Sequence, residues 1–119
     1  MTSGRWKVPG LDEINLGDIT DQDQGESRDD ATAAKFFLKD AERGDANAQF
    51  NIAVMLAGGT GIAKDMVAAY MWAELAAYRA TGNLREYALK LQTHLAAQLN
   101  RAEIKQAKEA ARLWHPKKD

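Results

Sequence analysis

A recurrence at fixed spacing constrains this chain more than any other feature of its sequence. Asp29, Ala33, Phe36 and Ala41 reappear as Asp65, Ala69, Trp72 and Ala77, each pair 36 residues apart. Self-similarity at such a period marks a unit that can bury its apolar face only against a neighbour, as in stacked helical arrays. Residues 45–82 read as one such unit: a helix, a glycine-rich turn and a second helix. Asp45 and Asp65 precede the two apolar-periodic runs, where a carboxylate accepts hydrogen bonds from free first-turn amides and meets the positive end of the dipole. Gly58, Gly59 and Gly61 are expected to supply the positive φ angles between the helices. Ala69, Trp72, Ala73, Ala76 and Ala77 fall on one stripe of the second run, its small residues letting helices approach while the indole fills the gap.

The same signals extend to both sides. Asp30 is expected to cap a helix reaching about Arg43, with Ala33, Phe36, Phe37 and Ala41 as its buried stripe and Gly44 as its stop. Beyond Gly82, Asn83 and Glu86 stand at capping-box spacing, and Leu84, Tyr87, Ala88, Leu91, Leu95 and Leu99 trace an apolar helical stripe. Asn100 and Glu103 repeat the capping arrangement. Ile104, Ala107, Ala111 and Trp114 then share a face until His115 and Pro116 stop the helix. Five helices result. Residues 1–28 differ: they are rich in Gly, Ser and Asp and lack helical periodicity, which reads as an extended or disordered arm.

The central unit resembles a Sel-one-like repeat, a relative of the tetratricopeptide repeats with a longer turn. The residues carrying the resemblance are Ala46, Ala48, Gln49, Ile52 and Met55 in the first helix and Gly59, Gly61, Ile62 and Asp65 in the turn. Ala69, Trp72, Ala76, Ala77 and the closing Gly82 complete it. Ala53, Leu56 and Ala73 stand where the family usually has glycine, tyrosine and a further aromatic. The resemblance implies an all-α chain, a short right-handed stack of antiparallel helical hairpins. Residues 29–44 would form a half repeat, 45–82 a full repeat and 83–115 a C-terminal capping hairpin. It also implies a non-enzymatic adaptor or scaffold that binds a peptide or protein segment in its concave groove. First helices line that groove, so the candidate binding residues are Asn47, Phe50, Asn51 and Val54, with Arg85, Leu89 and Thr93 on the next first helix. Phe50 and Val54 read either as an apolar anchor in the groove or as packing on the preceding helix.

Composition narrows the alternatives. With 119 residues, 45% apolar and 28% charged, the sequence suits one small domain with one core. No apolar run is long enough for a membrane span and the N-terminus lacks the pattern of a signal peptide, so a cytoplasmic location without membrane contact is the expectation. The absence of cysteine excludes disulfides and thiolate chemistry. The cluster Gly58–Gly61 follows a helix rather than a strand and lacks the lysine of a phosphate loop. His94 and His115 are 21 residues apart, outside any metal-ligand spacing, so no metal is expected. Ser3 and Ser27 have no recognisable activating partner. Neither an enzyme nor a cofactor is therefore expected.

Net charge is −1, but its distribution is uneven, acidic over residues 12–30 and basic from Asn83 onward. The basic part has no interleaved aromatics for stacking bases, which argues against nucleic acid as a partner. Opposite charge at the two ends favours head-to-tail attraction, so the alternative to an adaptor is a self-assembling unit, a homo-oligomer formed through the arm or the C-terminal cap. The arm carries Trp6, Val8, Leu11, Ile14, Leu16 and Ile19 at spacings too irregular for a helix. It is expected to pack on the array, covering the first helix or entering the groove around Phe50 and Val54.

Overall fold

Five α-helices and no strand make up the described residues, 27–117, of the computed structural model, with side chains described from Asp30 onward. They are α1 (Ser27–Glu42), α2 (Ala46–Gly58), α3 (Met66–Arg79), α4 (Gly82–Ala96) and α5 (Arg101–Leu113). The expectations for residues 1–26 lie outside the described residues. None of the described helices is long and apolar enough to cross a membrane.

Several helix ends form where local chemistry placed them. Asp45 and Asp65 hold extended backbone conformations and accept from Ala48 N and Ala68 N, each at 3.0 Å. Asn100 and Glu103 form a reciprocal capping box. At the end of α2, Gly59 takes φ +69° and Thr60 N–H reaches back to Met55 O at 3.0 Å, a Schellman closure.

Other ends depart from expectation. α1 begins at Ser27, so Asp30 lies within its first turn instead of capping it. Gly58 is the last helical residue of α2, and only Gly59 and Gly61 of the three turn glycines have positive φ. Asn83 and Glu86 form no capping box: α4 starts two residues earlier, behind Thr81, which makes no side-chain cap bond. Arg85 takes part in that junction from the other side, its Nη1 donating to the terminal carbonyl of Ala77 at 2.7 Å.

α3 is the hub. Its buried residues Ala69, Tyr70, Trp72, Ala73, Leu75, Ala76 and Ala77 cover roughly 220° of its circumference at 100° per residue. A helix this apolar around its girth requires several partners. It packs against α2, α4 and α5, while α1 packs on α2. α5 packs on α3 and barely touches α4.

The recurrence is not equivalent in space throughout. Trp72 is 6% exposed but Phe36 is 66% exposed. In α1 the inward stripe is Ala34, Phe37, Leu38 and Ala41, which turns Phe36 to the opposite side. Trp72 is covered because Trp114 meets it, with ring centroids 6.0 Å apart in an edge-to-face arrangement.

Gln49 joins α1 to α2. Fully buried, it donates from Nε2 to the α1 terminal carbonyl of Ala41 at 3.1 Å. Gln49→Ala removes that donor and opens a small void, while Ala41 O still accepts from Gly44 N at 3.0 Å. A loss of about 1 to 2 kcal/mol is expected in urea unfolding. A midpoint equal to that of the unaltered chain would show that the carbonyl does not need the glutamine.

Candidate functional site

The periodicity of α2 determines which of its side chains remain available. Its buried residues occupy every direction except one stripe, formed by Asn47, Asn51, Val54 and Gly58. Asn47 is exposed, and Asn51 and Val54 are half-buried on that stripe. Phe50 lies off it and is 2% exposed, so it belongs to the core and is not an open anchor. The reason is angular: one step from Asn51 carries the side chain about 100° round the helix, into the packed arc.

On α4 the inward residues Ala88, Leu91 and Leu95 leave Arg85, Leu89 and Thr93 together on an outward stripe. Leu89 is 41% exposed. Two of the three have local tasks: the Arg85 guanidinium bonds Ala77 O, and the Thr93 hydroxyl donates to Leu89 O one turn back at 3.1 Å. α2 and α4 approach each other only briefly along α3.

A cleft forms elsewhere, where the C-terminal segment returns to α1. Its lining is Glu42, Trp72, Leu113, Trp114, His115, Pro116 and Lys117, around about 630 Å³. None of the seven expected groove residues lines it. Three features build it. After Leu113 the backbone extends at Trp114, whose φ of −74° and ψ of 144° lead the segment away from the α5 axis. Lys117 then pins the segment to the end of α1, its N–H donating to Glu42 O at 2.8 Å and its Nζ bonding Glu42 Oε1 at 3.2 Å. Arg79 completes the frame from α3. Its Nε donates to Gly44 O at 2.8 Å and its guanidinium lies 5.7 Å from the Trp114 ring centroid.

The cleft is apolar at its wall and charged at its margins. Trp72 and Trp114 supply aromatic surface, and Leu113 on the rim is 61% exposed. Farther along α5, Lys108 lies 5.6 Å from the Tyr70 ring centroid and 3.4 Å from Glu74 Oε1, which also accepts from Gln92 Nε2 at 2.9 Å. A hydrogen bond with Tyr70, opposed by desolvation and assisted by the charge of Glu74, raises the Lys108 pKa above its ordinary value. That cation therefore stays charged across the physiological range.

The arrangement offers aromatic and aliphatic contact surface. Among the described residues no group of three or more His, Asp or Glu is placed to hold a metal ion. Sequence reasoning missed the cleft because its two sides are joined by Lys117 and Glu42, which are 75 residues apart. The available signal was an aromatic residue, Trp114, carried past a helix end by Pro116. Comparison of the chain with protein families, with curated proteins and with solved structures gives no match.

Proposed function

We propose that this chain is a non-enzymatic protein–protein interaction module, an adaptor that receives a peptide or protein segment in the cleft between α1, α3 and the C-terminal segment. The observation that carries the reading is Leu113, 61% exposed at the rim of a cleft walled by Trp72 and Trp114. An apolar side chain held open beside recessed aromatic surface matches the anatomy of binding sites, in which a few aromatic and aliphatic anchors provide most of the affinity. The Sel-one-like resemblance of residues 29–82 supports the same class of function. The stripes Asn47, Asn51, Val54 on α2 and Arg85, Leu89, Thr93 on α4 are further contact surface for the same kind of partner.

The test is selection from a displayed library of random peptides, with a Leu113→Asp chain as the control. Leu113 is mostly solvated, so the charge is expected to leave the melting temperature nearly unchanged while weakening selected peptides at least tenfold. Peptides that bind both chains equally, or no enrichment at all, would sink the cleft as a partner site. Self-assembly is the competing reading, favoured by Phe36 at 66% and Tyr78 at 82% exposure on other faces. Light scattering across a concentration series separates the two, since an adaptor of this kind keeps a constant monomer mass.

A further inference from the structure

The cleft has a candidate occupant within the same chain. Residues 1–26 hold Arg5 and Lys7 against six acidic side chains, a balance of −4, so with a whole-chain charge of −1 the other 93 residues carry +3. Within that acidic segment, Leu11, Ile14, Leu16 and Ile19 alternate with Asp12, Glu13 and Asp18. Apolar side chains flanked by acids are the complement of an aromatic cleft beside a basic helix. α5 and its continuation carry Arg101, Lys105, Lys108, Arg112 and Lys117 against Glu103 and Glu109. Lys108, Arg112 and Lys117 are paired with Glu74, Glu109 and Glu42 in turn, and all three pairs lie at exposed positions where salt and competing charges reach them.

Chain length permits the contact. Glu42, on the lining of the cleft, ends the 16-residue α1, so the cleft lies about 24 Å from the point where the arm joins. Eight residues separate Ser27 from Ile19 and eleven separate it from Leu16, reaches of up to about 28 and 38 Å in an extended chain. The arm can therefore run back along α1 and place Leu16 and Ile14 at the cleft. The outward face of α1, continued by Arg43, lies along that route, presenting Lys35 and Lys39 with Asp40 around the exposed Phe36, while the connecting arm residues include Asp21, Asp23 and Glu26.

We propose that residues 11–19 of the chain's own arm occupy the cleft, with Ile14 and Leu16 against Trp114 and Leu113, and that a partner must displace them. The inference rests on the cleft being the partner site. Tethering favours the chain's own segment over that of a second copy, because a short linker holds it at an effective concentration on the order of millimolar. Attraction between the acidic arm and the basic surface adds a component that salt weakens.

The test uses the full chain and a variant carrying Ile14→Asp and Leu16→Asp. In the full chain, amides of residues 11–19 are expected to exchange at least tenfold more slowly than in the free peptide, equally at low and high protein concentration and less so in high salt. The double variant is expected to lose that protection and shift the Trp114 indole resonance, leaving the amide spectrum of α2 and α3 unchanged. It is also expected to bind library-selected peptides several-fold more tightly. Free-peptide exchange rates in the unaltered chain would overturn the proposal, as would protection that appears only on dimerisation. An unmoved Trp114 resonance would do the same. Failure here with continued peptide selection leaves the adaptor reading standing; protection without any selected peptide overturns the adaptor reading and, with it, the displacement by a partner, leaving only a docked arm.

Discussion

Gly61→Val is expected to remove about half of the chain's folding stability or more. Gly61 has φ +74°, a conformation that costs a β-branched residue well over 1 kcal/mol. Space makes the change worse. A Cβ built at Gly61 falls on the backbone carbonyl of Asp30, in the first turn of α1, where no side-chain rotation relieves the overlap. The turn after α2 must then move away from α1 or α1 must detach, and the total expected loss exceeds about 4 kcal/mol. Domains of this size have roughly 5 to 10 kcal/mol in all. Gly82→Ala is the comparison that isolates the clash. Gly82 also has positive φ, at +61°, but a Cβ there meets nothing within 4 Å. Its alanine variant is expected to lose only about 1 kcal/mol. Circular dichroism melts of Gly61→Ala and Gly82→Ala should differ by 10 °C or more, since each kcal/mol moves the midpoint of such a domain by about 4 to 8 °C. Equal midpoints would mean that α1 does not pack on the turn.

Trp72→Ala is expected to have the next largest effect, about 3 to 5 kcal/mol. The indole is 6% exposed on the helix that contacts three others, so its removal leaves a void at the hub that backbone rigidity keeps open. It also strips Trp114 of its edge-to-face partner and the cleft of one wall. The consequence is selective as well as global. Urea unfolding followed at the Trp114 indole, together with exchange of the Lys117 amide, is expected to show the C-terminal segment leaving Glu42 before the helices melt. A single transition at the unaltered midpoint would refute both parts. Phe36→Ala provides the contrast: the same place in the recurrence, but 66% exposed, with an expected change within about 0.5 kcal/mol.

That contrast separates what sequence and tertiary structure each contribute. The caps of α2, α3 and α5 were legible because Asp45, Asp65 and Asn100 act on amides three residues ahead, a geometry that any helix start reproduces. The five helices were legible for a related reason: apolar period and glycine stops act within one or two turns. The start of α4 was not, because Arg85 reaches across to Ala77 and the Asn83–Glu86 spacing has no helix end to serve.

For the candidate site the division is sharper. Asn47, Asn51 and Val54 could be placed on one α2 stripe from spacing alone, but a hundred-degree step decided that Phe50 turns into the core. The sequence by itself determined helix content, most helix ends and the small-residue character of α3, all consequences of interactions within a few residues. Only the tertiary structure decided which side of α1 faces inward, that α5 docks on α3 instead of α4, and that Trp114 to Lys117 cross back to Glu42. Those outcomes depend on which distant surfaces cover one another, and burial of an apolar side chain is a property of the pair of surfaces rather than of either segment.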